Sequence, residues 1–355
     1  MAFPKKAGQQ KAVVGITFRQ RLEYWGLVFA GFLVRQLPHR ALAWIAVPLG
    51  SAAYHLDPRG RRVSMQNLDA AFGGTMETRE KKRIAEAGYR GFARTMIELF
   101  WSPNLTAEIA RKIFKTEGVP EAAFEVPTIY AALHFSNFEW LGQNLRFFRG
   151  PGIIVAQKLE NPLLGAYFDS LRGSTGHQVI PQERAIARML KHLKAGGYFC
   201  AVVDLNLDPK EASVIIDEFA GLKTCVTQIH AALALHAGVK IVPSECRPQP
   251  DGTYRMIYHP ALEYPPDATP AEIAQQCWDV LERGIREAPE CWLWSYKHWR
   301  FKPSDSNAER YPDYANTAKR FDKALGKHAQ KNRIIIPRQA EGLAGMPEII
   351  GKNSG

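Results

Sequence analysis

Residues 128–141 read TIYAALHFSNFEWL, and this stretch decides how the rest of the chain is interpreted. It opens with a short apolar run, which is typical of a buried strand. The polar residues Ser136 and Asn137 then indicate a turn, and either side chain is suited to cap a helix over Phe138–Phe148. The stretch therefore predicts a strand, a turn that begins at His134, and a helix.

The same alternation of strand and helix patterns continues along the chain. Strands are predicted over Ile153–Ala156, Tyr198–Val203 and Val239–Val242, and helices over Thr78–Trp101, Pro162–Arg172, Glu183–Lys194, Thr227–Ala237 and from Pro270 to near Pro289. The triplet Pro250-Asp251-Gly252 predicts a hairpin turn. This order favours an α/β fold, a sandwich in which a central, mostly parallel sheet is flanked by helices.

Two apolar stretches near the N-terminus predict a membrane-anchoring helical segment. They are Trp25–Val34 and Ala41–Tyr54, and basic residues flank the region on both sides. Neither stretch alone reaches the roughly 20 apolar residues that cross a bilayer as a helix. We therefore expect either a segment that lies in the membrane interface or one tilted span. A pair of buried core helices is the alternative, and a cleaved signal peptide is disfavoured.

The composition and net charge indicate which classes of partner the protein suits and which kinds of site it lacks. The net charge of +11 and the pI of about 9.4 suggest an anionic membrane surface or an acidic protein as partner. Nucleic acid is the weakest candidate, because the chain has neither zinc-finger spacing nor an RNP-type aromatic motif. The five cysteines are scattered without a CxxC pair, so we expect reduced, buried thiols and no metal site.

His134 and Glu139 are the candidate catalytic residues. Five residues on one continuous helix would separate their side chains by about 140°. The two can cooperate only if His134 lies in the turn and Glu139 in the first turn of the helix. The carboxylate is then expected to fix the imidazole tautomer and to make His134 a general base for a hydroxyl. Considered alone, the spacing also fits a hydrogen-bonded histidine at a strand end.

The segment Ala131–Leu141 resembles the H-x4-(D/E) block of the glycerolipid acyltransferase superfamily, and specifically the lauroyl and myristoyl acyltransferases of lipid A biosynthesis. Further segments of the chain resemble other blocks of that branch and follow them in the correct order. These segments are Arg62–Phe72, Asn161-Pro162-Leu163 with Arg172, Arg184–Gly197, Val202-Val203-Asp204, Glu218–Gly221 with Thr224, Val242-Pro243 through Tyr254, and Pro289–Lys302. The resemblance covers the chain from roughly residue 21 to residue 314.

This resemblance implies a glycerolipid-acyltransferase-like fold and acyl transfer without a cofactor. The donor would be a thioester on acyl carrier protein, and the acceptor a hydroxyl of a lipid A precursor or a related membrane glycolipid. The expected location is the bacterial inner membrane, with the catalytic domain on its cytoplasmic face. The chain would then divide into a basic N-terminus and anchor (1–56), an acyltransferase domain (57–326) and a disordered tail (327–355).

Four further residues are predicted to bind substrate. The matching block suggests Arg172 as the group that holds an acceptor phosphate, since a guanidinium meets phosphate oxygens bidentately. Asp204, Asn137 and Arg247 complete this set. The basic residues Arg184, Arg188, Lys191 and Lys194 are a candidate landing surface for acidic acyl carrier protein, or simply a solvated helix face. The tryptophans at 292, 294 and 299 suit either a headgroup interface or the core.

Four alternative functions are considered at this stage. Another membrane lipid could be the acceptor, because the segment Val203–Asp208 departs from the pattern of the branch. A glycerol-3-phosphate or lysophosphatidate acyltransferase would normally show F-x-x-R and E-G-T-R-S blocks, and this chain has neither. A catalytically silent lipid-binding protein is a different class, against which the presence of both His134 and Glu139 argues. A metal-dependent hydrolase ranks last, since no H-E-x-x-H motif occurs.

Overall fold

A computed structural model describes residues 15–118, 126–183, 185–209, 213–219, 221–304 and 309–332. The helices in these ranges are α1 (Phe18–Arg35), α2 (His39–Leu56), α3 (Pro58–Phe72), α4 (Thr78–Trp101), α5 (Ala107–Ile113), α6 (Phe138–Asn144), α7 (Arg146–Arg149), α8 (Pro162–Arg172), α9 (Ala185–Lys194), α10 (Ile229–Ala237), α11 (Pro270–Glu287) and α12 (Lys319–Asn332). The strands are β1 (Phe114–Glu117), β2 (Thr128–Ala132), β3 (Ile153–Ala156), β4 (Gln178–Pro181), β5 (Tyr198–Val202), β6 (Ser213–Glu218), β7 (Leu222–Thr227), β8 (Lys240–Pro248), β9 (Tyr254–Tyr258), β10 (Phe301–Lys302) and β11 (Asn316–Thr317).

A seven-stranded sheet with the order β1-β9-β8-β2-β5-β3-β4 forms the centre of the molecule. Strands β8, β2, β5, β3 and β4 are mutually parallel, and β9 joins β8 as an antiparallel hairpin. The predicted hairpin turn is confirmed, with Gly252 at φ +88°. The prediction of a mostly parallel sheet flanked by helices is also confirmed. Parallel strands end at one edge of the sheet, where α/β proteins build their sites.

The residues of β2 alternate between the two faces of this sheet. Ile129, Ala131 and Leu133 join a core that includes helices α9, α10 and α11, whereas Tyr130 and Ala132 join a core that includes α2, α4 and α6. Both faces are covered, and all five residues of β2 are buried. That burial explains why the strand is apolar along its whole length instead of alternating with polar residues.

Several element boundaries differ from the sequence predictions. The helix predicted over Phe138–Phe148 is two helices, α6 and α7, because the Leu145 N–H bonds to the Gln143 carbonyl and interrupts the helical pattern. The antiparallel pair β6–β7 was not predicted. The capping box at Thr269 and Glu272 is present as predicted, with Pro270 at the start of α11. Helix α12 continues to Asn332, and the predicted disordered tail beyond it lies outside the described residues.

The three tryptophans near residue 292 lie in the core, which is the second of the two placements that the sequence left open. Trp292, Trp294 and Trp299 are each at most 1% exposed. The reason is mutual packing: the Trp292 ring stacks on His298 at 3.8 Å, and Phe219 packs against all three indoles.

The first two helices pack on one side of the domain, α1 against α4 and α8, and α2 mainly against α4. Each is 18 residues long. Within the described part of the chain, no helix combines the length and the apolar character that crossing a bilayer requires.

Candidate active site

His134 and Asp204 meet at the carboxyl edge of the sheet. β2 ends at Ala132 and its neighbour β5 ends at Val202, so each candidate residue stands two positions beyond the end of an adjacent strand. The Val203 N–H donates to the Ala132 carbonyl at 2.9 Å and continues the ladder up to the site. The parallel pairing of β2 with β5 thus joins two residues that are 70 positions apart in sequence.

The carboxylate bonded to the imidazole is Asp204 and not Glu139, which corrects the expectation from the sequence. His134 Nδ1 lies 2.7 Å from Asp204 Oδ1, and the His134 backbone N–H donates to Asp204 Oδ2 at 2.9 Å. Trp292 Nε1 also donates to Oδ2, at 2.9 Å. Three donors therefore hold both oxygens of a fully buried carboxylate, and the assignment of Asp204 to substrate binding does not fit this burial.

The pair has a defined electrostatic character. Burial acts to lower the pKa of His134, but the charge and hydrogen bond of Asp204, together with the charge of Glu139, raise it above the ordinary value of 6.5. Burial acts to raise the pKa of Asp204, and His134 outweighs it, so that this pKa falls to about 2. Asp204 is therefore ionised at neutral pH, and it favours the tautomer with the proton on His134 Nδ1.

The remaining ring nitrogen, His134 Nε2, has no hydrogen-bond partner among the described residues. The His134 side chain is 22% exposed, and the edge of its ring contacts Phe138 at 4.8 Å between centroids. An unprotonated Nε2 that is open to solvent is the geometry that a general base requires.

Glu139 pairs with Arg172 in a bidentate ion pair. Arg172 Nε donates to the two carboxylate oxygens at 3.1 and 3.0 Å, and Nη2 donates at 2.6 Å. Glu139 lies in the first turn of α6, as predicted, and Arg172 is the last residue of α8. Both side chains are largely buried. Glu139 acts on His134 through its charge, without a hydrogen bond, and Arg172 Nη1 has no partner among the described residues.

Asn137 caps α6, which confirms the sequence prediction. Its Oδ1 accepts from the Trp140 N–H at 2.9 Å, and its Nδ2 donates to Glu98 at 2.7 Å. Asn137 is 1% exposed, so both ends of its amide are committed inside the protein. These contacts account for Asn137 as a structural residue, and a direct substrate contact would require the cap to open.

Arg247 is held by carboxylates of its own. It bonds to Glu245 at 2.9 and 3.2 Å and to Glu287 at 2.9 Å, and Glu245 also contacts His259. No recorded contact joins Arg247 to His134. The structure therefore brings together four of the six predicted site residues, which are His134, Glu139, Arg172 and Asp204. Asn137 caps α6, the helix that carries Glu139. Arg247 remains apart.

Sequence reasoning missed two contributors to the site, Trp292 and Glu98. Trp292 bonds to Asp204 but was placed among the undifferentiated tryptophans, and Glu98 bonds to the cap residue Asn137 from α4. The available signal for Glu98 was a single carboxylate inside the otherwise apolar run Ile97–Trp101. No local signal distinguished Trp292.

The predicted landing surface is a basic, exposed face of α9. Arg188, Lys191 and Lys194 are exposed, and none of them forms an ion pair with another residue in the described ranges. Ile186 on the same helix is 52% exposed. Arg184 lies outside the described residues.

Helices α1 and α2 carry an exposed apolar face. On α1 its members are Phe18, Leu22, Trp25, Phe29, Phe32 and Leu33, and on α2 they are Trp44, Val47, Leu49 and Leu56. Trp44 is 82% exposed and Trp25 is 64% exposed. Large apolar side chains exposed in this number often mark a site that binds a membrane or a protein.

The apolar face adjoins the candidate site through α8. Asn161, which caps α8, donates to the Gln20 carbonyl at 2.9 Å and to Glu23 at 3.1 Å. The other end of α8 carries Arg172. One short helix thus connects the base of α1 to the Glu139 ion pair.

A cavity of about 660 Å³ lies elsewhere in the fold, between α3, α11 and the segment around Tyr311. Phe72, Phe219, Arg286 and Arg310 line it. None of the candidate catalytic residues does, so the cavity does not form part of this site.

Comparison with known proteins matches residues 16–301 to the family described as bacterial lipid A biosynthesis acyltransferase. The chain is also similar to the lipid A biosynthesis lauroyltransferase of Escherichia coli (strain K12), with 25% identity over 288 residues. That alignment covers 79% of this chain and 93% of the relative.

Proposed function

The chain belongs to the bacterial lipid A biosynthesis acyltransferase family, and from this premise we propose that it transfers a fatty acyl chain from a carrier thioester to a hydroxyl of a lipid A precursor or a related glycolipid. The observation that carries the proposal is the pairing of His134 with the buried Asp204, which leaves Nε2 open. This arrangement suits a general base that removes the proton of a hydroxyl.

The chemistry follows from that pair. The acceptor hydroxyl gives its proton to His134 Nε2, and its oxygen bonds to the thioester carbonyl carbon. The C–S bond breaks when the tetrahedral intermediate collapses, and the imidazolium returns its proton to the departing thiolate. Asp204 stabilises the imidazolium in between, because its charge lies 2.7 Å from Nδ1. No covalent acyl-enzyme is needed.

Arg172 is assigned to an anionic group of the acceptor. Glu139 occupies its Nε and Nη2 and holds the guanidinium in one orientation, while Nη1 stays uncommitted among the described residues. A phosphate oxygen is the ligand that this geometry suits. Glu139 in this scheme orients Arg172 and adds to the basicity of His134, which differs from the direct contact expected from the sequence.

The donor we propose is an acyl thioester on acyl carrier protein, with the exposed face of α9 as part of its landing surface. Arg188, Lys191 and Lys194 supply positive charge that no ion pair among the described residues neutralises. Charge complementarity of this kind accelerates the encounter of two proteins. The net charge of +11 has the sign that an acidic carrier requires.

We further propose that the protein docks on the bacterial inner membrane from the cytoplasmic side, through the apolar face of α1 and α2. Burial of one large apolar side chain contributes about 1.5–3 kcal/mol. Ten such side chains on two helices therefore supply enough free energy for interfacial binding without a span. The docked face lies beside α8, so a lipid acceptor could approach Arg172 from the bilayer.

The test incubates purified protein with acyl carrier protein thioesters, lipid A precursors and a panel of other membrane lipids, and identifies the products by mass. We expect transfer to a lipid A-type acceptor by the wild type. His134→Ala should reduce transfer by several orders of magnitude with the fold retained. The matched control is His236→Ala, which removes an exposed imidazole from α10 and should keep wild-type rates. Undiminished transfer by the His134 variant would exclude the assigned base, and the absence of any acylated lipid with the wild type would refute the function.

A further inference from the structure

Two side chains of α4 and the residue that caps its C-terminus hold the turn that carries the candidate catalytic residues. Thr95 and Glu98 lie in α4 and Ser102 is its C-cap, and their spacing of three and four positions places all three on one side of the helix. Each contacts a different residue of the segment 136–140, and each is at most 1% exposed. One buried side of the helix therefore makes hydrogen bonds to three residues of the turn and of the helix that follows it.

The outer two contacts are single hydrogen bonds. Thr95 Oγ1 donates to the Ser136 carbonyl at 3.0 Å, and it shares this donor with the Gly91 carbonyl at 3.1 Å. At the other end, Trp140 Nε1 donates to Ser102 Oγ at 2.9 Å. The first contact fixes the turn two residues after His134, and the second fixes the helix one residue after Glu139.

The central contact is the densest. Glu98 has no exposed surface, and four donors converge on its carboxylate: His39 at 3.0 Å, Arg94 at 2.9 Å, Asn137 at 2.7 Å and Tyr254 at 2.5 Å. Burial acts to raise the pKa of Glu98, but these partners lower it below the ordinary value, so the carboxylate is ionised. An ionised, immobile acceptor defines where the amide of Asn137 must lie.

The turn needs external support because its backbone is strained. Ser136 has φ +49°, in the left-handed region that residues with a side chain rarely adopt. Such a conformation persists only where the surroundings determine it. Its N–H donates to the Cys291 carbonyl at 2.6 Å, and its carbonyl accepts from Thr95.

We infer that Thr95, Glu98 and Ser102 are positioning residues, which fix His134 and Glu139 relative to each other by holding the strained turn between them. The inference rests on the proposed function for the roles of His134 and Glu139. Without these three hydrogen bonds the turn relaxes towards ordinary backbone angles, and the imidazole of His134 moves with respect to both Asp204 and the Glu139 ion pair.

The test compares Thr95→Val with Ser64→Ala. Both changes remove a buried helix hydroxyl that bonds to the carbonyl four residues back, but Ser64 lies in α3 and has no recorded contact with the turn. We expect Thr95→Val to lower kcat about three- to tenfold, the rate equivalent of one hydrogen bond, with KM nearly unchanged. Ser64→Ala should leave kcat unchanged, and Thr95→Ser, which keeps the hydroxyl, should restore it.

A second measurement needs no substrate. The His134 Nδ1 proton in its short bond to Asp204 should give a downfield NMR resonance, assigned by its loss in a His134→Gln variant. We expect this resonance to shift or broaden in Thr95→Val and in Glu98→Gln, and to be unchanged in Ser64→Ala. A purely structural role would lower the melting temperature and leave the resonance in place.

The outcomes separate the two claims. An unchanged kcat together with an unchanged resonance in Thr95→Val overturns the positioning role, and so does an equal loss of kcat in Ser64→Ala. If the wild type transfers no acyl chain, the proposed function fails, and the resonance still decides whether α4 sets the geometry of His134. If Glu98→Gln does not fold, the comparison of Thr95→Val with Thr95→Ser decides.

Discussion

Replacement of Asp204 by asparagine tests the proposed mechanism most directly, since it exchanges one oxygen for an NH2 group at almost constant volume. Asp204 Oδ2 accepts two N–H donors, from the His134 backbone and from Trp292, whereas Oδ1 accepts only from Nδ1. The single oxygen of asparagine will therefore take the place of Oδ2. Its NH2 group then faces His134 Nδ1, which must become an acceptor, and the ring proton moves to Nε2.

The expected loss can be worked from the same geometry. A full charge 2.7 Å from Nδ1 stabilises the imidazolium by about 6 kcal/mol at an effective dielectric constant of about 20. Asparagine keeps a dipole and the packing, so part of this stabilisation remains. With the wrong tautomer added, we expect kcat to fall roughly 10²–10⁴-fold, equivalent to about 3–5 kcal/mol in the barrier.

The assay is the pH dependence of kcat and KM for acyl transfer by Asp204→Asn and the wild type. His134 acts as a base only when neutral, so wild-type activity should rise with pH and level off once the pH exceeds the pKa of His134, which is raised above 6.5. The inflection should move to lower pH in Asp204→Asn, because the charge that raised this pKa is gone. Asp217→Asn is the control, since it alters an exposed carboxylate that pairs with Lys223.

Two results would refute this reasoning. A wild-type kcat with an unmoved inflection would mean that Asp204 does not act through His134. A raised KM with unchanged kcat would instead support the substrate-binding role that the sequence suggested for Asp204. Thermal unfolding of each variant verifies that the comparison is made on folded protein.

Two further perturbations separate substrate binding from membrane docking. Arg172→Lys replaces the guanidinium that pairs bidentately with Glu139 by a point charge. We expect kcat/KM to fall roughly 10–100-fold with a phosphorylated acceptor and much less with its dephosphorylated form. An equal loss with both acceptors would contradict the phosphate assignment. The double variant Trp25→Glu with Phe29→Glu should float with anionic vesicles about 10²-fold less than the wild type, while its acyl transfer to a detergent-dispersed acceptor persists. The control is Phe148→Glu, which changes an exposed apolar side chain outside α1 and α2, and this variant should float like the wild type. Unchanged flotation of the double variant would show that this face is not the docking surface.

The mostly parallel sheet flanked by helices could be predicted from the sequence, because apolar runs and the breaks between them indicate which elements are buried. The stretch 128–141 contains a strand, a cap at Asn137 and the start of a helix, and all three are local properties. The hairpin at Gly252 and the capping box at Thr269 are local in the same sense. Each depends on residues within four positions of one another, so each could be predicted.

The partner of His134 could not be predicted, because it depends on which strands are neighbours. Asp204 lies 70 positions from His134, and only the adjacency of β2 and β5 brings the two together. Glu139 was near in sequence and was therefore preferred, although it faces Arg172 at the end of α8. The role of Trp292 depends on a contact over a still longer sequence separation, since it lies 88 positions from Asp204. Sequence spacing thus singled out His134 and misassigned the carboxylate that bonds to it.

The bond from Trp292 to Asp204 has a consequence for how the protein is made. The two residues are 88 positions apart. Synthesis at about 5–20 residues per second delivers the indole roughly 4–18 s after the aspartate leaves the peptidyl transferase centre. During that interval Asp204 lacks one donor, and Ser136 lacks the Cys291 carbonyl that its N–H requires. A nascent chain therefore cannot complete the surroundings of Asp204 and Ser136 until residues 291 and 292 have been synthesised and have folded back onto the sheet edge.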